Sequence, residues 1–261
     1  MDRQQIDKIA KNEQEKMLLA KLYDKISAGM RKNIPASTCF LSPYEQSLAR
    51  YLFGQQEGLS FFGGYEDAER SMLCYLPEYL TKEQLWEEDS PVACLRADFY
   101  AGDTPDHRDF LGALMGAGIG RETVGDICVG QGFCYFFVTA EIAPFVLQEL
   151  TGAGRTKVHL TQVPLAGLIL PEQKTLTIRD TLASLRLDAL VASGFRISRS
   201  LAATYIESGK AAVNGIPCEK PDKEVRAGDK VSVRGLGKIL LESIGGQSKK
   251  NRYIVVIQKY L

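Results

Sequence analysis

The 261-residue chain has only two histidines, one tryptophan, and no Cys-x-x-Cys pair among its six cysteines. Structural zinc sites gather clustered Cys and His ligands, so no metal is expected. No apolar run approaches the ~20 residues that a membrane-spanning helix needs. The opening MDRQQIDKIAKNEQEK is charged and lacks the apolar stretch of a secretory signal. Scattered thiols among apolar neighbours, with no leader, point to a soluble, cytoplasmic protein in a reducing compartment. Nucleotide-binding loops are missing as well. Gly116-Ala117-Gly118-Ile119-Gly120 follows a helical pattern, not a strand, and reads as a helix-ending turn. His107-Arg108-Asp109 has the letters of a kinase catalytic loop, but Leu114 stands where asparagine is required and Asp-Phe-Gly does not occur. Without acid–base partners, His107 reads as a structural or surface residue.

The formal net charge is +0, and that balance hides an asymmetry. Residues 1–178 carry 17 Lys+Arg against 24 Asp+Glu, net −7, and residues 179–261 carry 15 against 8, net +7. A basic final third on an acidic body fits a polyanion-binding module.

Along the chain, residues 2–30 read as one amphipathic helix with Ile6, Ile9, Met17, Leu18, Leu22 and Ile26 on its apolar stripe. Ser42-Pro43-Tyr44-Glu45 has the serine cap, first-turn proline and glutamate of a helix start. Residues 59–62 and 71–76 read as strands. Between 90 and 163 the pattern is strand (92–100), helix capped by Asp106, strands 126–129 and 133–138, helix 142–150 and strand 157–162. That βαββαβ order is the split arrangement of ferredoxin-like and RNA-recognition domains. Gln131-Gly132-Phe133-Cys134-Tyr135-Phe136 partly matches the base-stacking strand of the latter. Gln131 replaces the usual leading cation, so Phe133 and Tyr135 are read as core residues. Residues 164–174 read as a linker.

The densest stretch runs from Ser184 to Lys238. Ser184 is placed to cap a helix carrying Leu187, Leu190 and Val191, with Gly194 as its left-handed stop. Ser198 caps a second helix with Leu201, Tyr205 and Ala202 inward and Ile206 extending the stripe. Asn214-Gly215 is a strong hairpin signal, and Gly228-Asp229 turns into an alternating strand. Residues 236–244 and 253–258 form a last hairpin whose turn holds Lys249, Lys250 and Arg252.

RLDALVASGF, SRSLAATYIESGKAAVNG and KPDKEVRAGDKVSVRG resemble the S4 RNA-binding domain over about 55 residues without a gap. Upstream, His107-Arg108-Asp109-Phe110-Leu111-Gly112-Ala113-Leu114 and the later Gly118, Ile119, Arg121, Glu122, Gly125, Asp126 and Ile127 are similar to the middle domain of the bacterial YlmH family. Arg234-Gly235-Leu236-Gly237-Lys238 also fits that family, except that Lys238 replaces the usual arginine and loses its bidentate fork. The resemblance implies association with the large ribosomal subunit and with tRNA-bearing stalled subunits, in quality control of translation.

The residues themselves point to phosphate capture. Arg186 and Arg199 stand at two helix starts, where free N–H groups and the helix dipole attract anions, and guanidinium grips two oxygens at once. Arg196, Lys210, Lys220, Arg234, Lys238, Lys249, Lys250 and Arg252 extend the basic surface, while Ser198 and Asn214 offer neutral hydrogen bonds. Asp188 reads as an intradomain partner for a nearby arginine. The rival reading is a pseudouridine synthase with an S4 targeting domain. Its signature is poorly met, since Ala192-Ser193-Gly194 follows Arg186-Leu187-Asp188 one residue too late and too little chain remains for a catalytic domain.

The expected protein is α+β in three parts. These are a small N-terminal α/β domain (1–82), a ferredoxin- or RRM-like βαββαβ domain (83–170), and a C-terminal S4 domain of two helices, a β-rich lobe and the terminal hairpin (175–261). Its expected partners are ribosomal RNA, with tRNA a second candidate, and the large ribosomal subunit. No membrane, small-molecule substrate, cofactor or catalytic residue is expected.

Overall fold

The computed structural model of the chain describes every residue except 1–4, 82, 85–88, 173 and 249. The described residues form a mixed α/β structure that divides into two compact units, one ending at Pro171 and one beginning at Glu172. No described helix is long and apolar enough to cross a membrane.

In the first unit, the segment expected as one long helix is two, α1 (Ile6–Ile9) and α2 (Glu13–Lys32). Asn12 makes the break. Its side chain accepts from Glu15 N at 2.9 Å, while the Glu15 carboxylate accepts from Lys11 N at 2.8 Å. Asparagine competes for backbone groups in a helix interior and is better placed at a cap. The break turns Met17 outward, 59% exposed, while Leu19, Leu22 and Ile26 are buried. A strand that local pattern did not reveal follows, β1 (Ala36–Leu41), then α3 (Pro43–Phe53) with the expected Ser42–Glu45 capping box. With β2 (Leu59–Phe62) and β3 (Ser71–Tyr75) it makes an antiparallel sheet in the order β1-β3-β2.

Next come β4 (Val92–Asp98), α4 (His107–Gly116), β5 (Val124–Val129), β6 (Phe133–Thr139) and α5 (Ala143–Glu149). A small hairpin of β7 (Gly152–Ala153) and β8 (Thr156–Lys157) precedes β9 (His159–Val163). The first strand is thus two residues shorter than expected and the last begins two later. The sheet order is β5-β6-β4-β9, all antiparallel.

Strand β6 shows how this unit is layered. Cys134, Phe136 and Val138 point to a cluster completed by Phe110 and Leu114 of α4 and Val146 of α5. Tyr135 and Phe137 point the other way, into a buried cluster with Phe40, Met72 and Cys74 of the first sheet. The reverse face of that first sheet packs Leu41 and Leu73 against Leu19, Leu22 and Leu52 of the helices. The result is helix, sheet, sheet, helix. Close approach between the sheets needs glycine, because a Cβ on Gly64 would sit 2.5 Å from Phe137 and one on Gly125 2.7 Å from Phe40. The stretch read as a linker packs Leu165, Leu168 and Leu170 onto the same layer.

The second unit begins with β10 (Thr175–Leu182), continues through α6 (Leu187–Phe195) and α7 (Arg199–Glu207), then β11 (Ala211–Val213), β12 (Ile216–Pro217), β13 (Lys230–Val233), β14 (Gly237–Gln247) and β15 (Tyr253–Tyr260). Its sheet order is β10-β15-β14-β13-β11-β12, so the first strand pairs with the last. Leu187, Leu190 and Val191 are fully buried against Val231, Ile239 and Ile257. Three local expectations are corrected. The N-cap of α6 is Arg186, not Ser184, with Leu187 N and Asp188 N donating to the carbonyls of Lys223 and Pro221 at 2.9 Å each. The helix stops at Arg196 in the left-handed region (φ 54), not at Gly194. Gly194 is instead a packing glycine, where a Cβ would lie 2.7 Å from Ile239 Cδ1. On α7, Ala202 and Ile206 face inward as expected, but Leu201, expected beside them, is 45% exposed.

Candidate nucleic-acid interface

The most organised charge in the second unit surrounds one carboxylate. Asp188, in the first turn of α6, has a side chain only 7% exposed and receives both arginines at the helix starts. Arg186 donates from Nε to Oδ1 at 3.3 Å and from Nη2 to Oδ2 at 3.2 Å. Arg199 donates from Nε to Oδ2 and from Nη2 to Oδ1, each at 3.1 Å. Ala189 N adds a bond to Oδ1 at 2.8 Å. Burial alone would raise the Asp188 pKa, but the hydrogen bonds and charges of Arg199 and Arg186 outweigh it and hold the carboxyl below its ordinary value. Arg186 and Arg199 keep 41% and 52% of their side chains exposed. The chain thus brings together two guanidiniums far apart in sequence and presents them side by side on a buried anion.

The backbone contributes less here than the sequence suggested. At α6 the first N–H groups are taken by Lys223 O, Pro221 O and Asp188 Oδ1, so the helix start offers no free N–H cluster at these positions. At α7, Ser198 Oγ accepts from Leu201 N at 3.2 Å and bonds Ser200 Oγ at 3.1 Å, as a cap. Asn214 is likewise engaged within the domain. It takes φ 52 before Gly215 at φ 79, donates Nδ2 to Asp229 at 2.8 Å and accepts from Lys230 N at 2.8 Å.

The remaining cations fall into groups. Lys210 and Arg234 adjoin, since Arg234 N donates to Lys210 O at 2.9 Å, and Lys210 Nζ lies 5.3 Å from the Tyr205 ring centre. Lys238, on β14 opposite Ser232, has Nζ 5.7 Å from the ring of Tyr260 at the far end of β15. Arg196 ends α6 and Lys220 is exposed before the turn that caps it. Lys250 and Arg252 lie in the turn before β15, with Arg252 bound to Thr181 through both its hydroxyl and carbonyl. An eight-residue strand therefore separates that turn from Lys238, about 26 Å at ~3.3 Å per residue. Lys249 lies outside the described residues. Sequence reading missed Lys259, whose Nζ sits 5.5 Å from the Phe195 ring beside Arg196. Its alternation within a strand was the available signal.

In the first unit, the aromatic strand is half covered. Tyr135 is 7% exposed, Arg96 stacks 4.8 Å from the Phe133 ring centre, and Arg96 Nη1 donates to Tyr135 Oη at 3.1 Å. Arg121, Gly125 and Asp126, among the residues that resemble the YlmH middle domain, join the two sheets. Asp126 accepts from Tyr65 Oη at 2.7 Å, Glu69 N at 2.6 Å and Arg70 N at 3.0 Å. Arg70 and Arg121 both donate to Val124 O. Burial, with the neighbouring Arg70 charge, lowers the Arg121 pKa to about 10. His107 opens α4, and burial followed by the Arg121 charge lowers its pKa. Among the described residues, no group of three or more His, Cys, Asp or Glu could hold a metal ion. Asp188, enclosed by five donors, is not disposed to attack a base.

Residues 103–167 match the family described as "Putative RNA-binding domain in YlmH", and residues 185–231 match the S4 domain. The chain is 38% identical over 223 residues to the ribosome-associated protein quality control protein P2 of Bacillus subtilis (strain 168), covering 85% of this chain and 86% of that protein. A solved structure, the cell division protein YlmH from Streptococcus pneumoniae, aligns with a TM-score of 0.49 and 19% identity, over 61% of this chain and 97% of that one.

Proposed function

The chain belongs to the YlmH family of S4-domain proteins, and on that footing we propose that it is a non-catalytic RNA-binding protein that works on the ribosome. The observation that carries this reading is the pair of exposed guanidiniums, Arg186 and Arg199, fixed on Asp188. Each can meet phosphate oxygens in a bidentate manner. Lys210, Arg234 and Lys238 extend the contact along the sheet, and the turn with Lys250 and Arg252 forms a second, separate foothold. Ser198 and Asn214 serve by shaping the helix start and the hairpin. The RNA is ribosomal RNA of the large subunit, with tRNA a further ligand, and the task is quality control of stalled translation. The name of the Bacillus relative supports that assignment.

Co-sedimentation of the full chain with purified large ribosomal subunits tests the reading. Arg186→Gln and Arg199→Gln should each reduce the bound fraction severalfold, and Arg196→Gln should do less, since it stands outside the Asp188 cluster. If both folded variants sediment like the wild type, the S4 surface is not the docking site. Mass spectrometry of rRNA incubated with the protein should show no new modified nucleotide. A modified uridine would replace this reading with that of a pseudouridine synthase.

A further inference from the structure

Asp188 sits beneath the arginine pair, and the hydrogen-bond pattern divides each guanidinium into two edges. A guanidinium carries five N–H donors. Both arginines direct Nε and one Nη2 hydrogen at the carboxylate. What remains on each is the outer edge of Nη1 and Nη2, itself a bidentate fork that matches two phosphate oxygens. We propose that Asp188 is a positioning residue for RNA phosphate, holding Arg186 and Arg199 so that their two outer forks face one segment of RNA backbone. This deepens the ribosomal RNA-binding reading and rests on it.

Three features support the assignment beyond the ion pairs. The Asp188 side chain is 7% exposed, so it lies below the surface and does not itself occupy the place of a ligand anion. Both oxygens are saturated, Oδ1 by three donors and Oδ2 by two, and Ala189 N fixes the carboxylate on the helix that carries it. Its backbone N is tied to Pro221 O, so the support is rigid. Without Asp188 the two guanidiniums would repel and each would have to be immobilised anew when RNA binds. An immobilised, rotamer-rich side chain costs enough that two of them reduce affinity by roughly tenfold.

The sign of the effect makes the test decisive. Asp188→Asn adds one unit of positive charge beside the RNA, so attraction alone would tighten binding. Positioning predicts the reverse. With a short labelled RNA duplex and the full-length protein, Asp188→Asn should bind about tenfold more weakly, with a shallower dependence of log affinity on log salt as phosphate contacts are lost. The loss should vanish when Asp188→Asn is combined with Arg186→Gln and Arg199→Gln, because nothing is then left to position. Asp188→Glu keeps both charge and ion pairs but displaces the carboxylate by one methylene. It should retain the fold and still bind several-fold more weakly, which keeps the proposal testable if the asparagine variant melts early. Unchanged or tighter binding by folded Asp188→Asn or Asp188→Glu overturns the positioning role alone. Failure of the wild-type chain to bind both the duplex and large subunits would instead overturn the RNA-binding reading beneath it.

Discussion

Removing the two arginines one at a time and together should reveal how far Asp188 depends on them for folding. Arg186→Gln leaves Asp188 with Arg199 and Ala189 N, and Arg199→Gln leaves it with Arg186 and the same backbone donor. Bonds to charged groups contribute about 1.5–3 kcal/mol when well formed. Both arginine side chains are roughly half exposed, so solvent screening reduces each single loss to about 1 kcal/mol. In a unit of this size that lowers the melting temperature by about 4–8 °C. The double variant is different in kind. It strands a 7%-exposed carboxylate without a cation, a situation that costs about 3–5 kcal/mol. The two losses should therefore be more than additive, with a coupling of about 1–3 kcal/mol. The pH response should invert as well. In the wild type the folded pKa of Asp188 lies below its unfolded value of about 3.9, so its stabilisation is present above that value and lost as pH falls through the folded pKa. In the double variant no cation opposes burial, Ala189 N being the one donor left of the five, and the folded pKa rises. Protonation then relieves the cost, so stability is greater at low pH and is lost as pH rises through the raised pKa. Thermal melts of the four proteins at several pH values supply both readouts. Additive losses and an unchanged pH slope would refute the claim that the two arginines jointly neutralise one buried anion.

Gly194→Ala should destabilise the second unit by about 1–3 kcal/mol in a thermal melt, since its new methyl would enter the Ile239 side chain 2.7 Å away. Lys250→Ala should flatten the salt dependence of RNA affinity by up to about one unit of slope, and an unchanged slope would remove that turn from the footprint. Tyr135→Ala should cost about 3 kcal/mol of stability while leaving RNA affinity unchanged; weakened RNA binding by the folded variant would revive base stacking on β6.

What could be read from the sequence is what neighbouring residues decide among themselves. The capping box at Ser42, the cap at Asp106 and the Asn214-Gly215 turn are complete within a few residues, and they form as expected. Strand β1 could not be read in this way, because a register shift between Ser37 and Phe40 interrupts its alternation. The cap of α6 was misplaced for a related reason. Its acceptors are carbonyls of residues 221 and 223, brought back by a loop beyond β12, and they relieve Ser184 of the task. Among the site residues, the arginines were legible as charge at helix starts. Their meeting on Asp188 was legible only as a pairing with a nearby arginine, since Arg199 reaches it across the turn between two helices. The internal engagement of Asn214 was hidden because Asp229 and Lys230, at the start of another strand, lie 15 and 16 residues away.

The aromatic strand in the first unit shows why a motif needs its surroundings. Alternation in β6 sends one set of side chains to the helices and the other to the opposite sheet face, the face an RNA-recognition domain leaves open for bases. Here Phe40, Met72 and Cys74 of the first sheet close the part of it that carries Phe137, and Gly64 and Gly125 let the sheets approach. Arg96 lies against both Phe133 and Tyr135 on the rest, already supplying the cation that a stacked base would otherwise meet. Arg96 is also ion-paired with Asp98 at 2.8 Å, so a base on that side of Phe133 would have to compete with a held cation. In the second unit Arg186 and Arg199 keep 41% and 52% of their side chains exposed while Nε and Nη2 of each bond Asp188. Under the proposed function, RNA phosphate is therefore to be sought at the two helix starts of the S4 domain and not on the aromatic sheet.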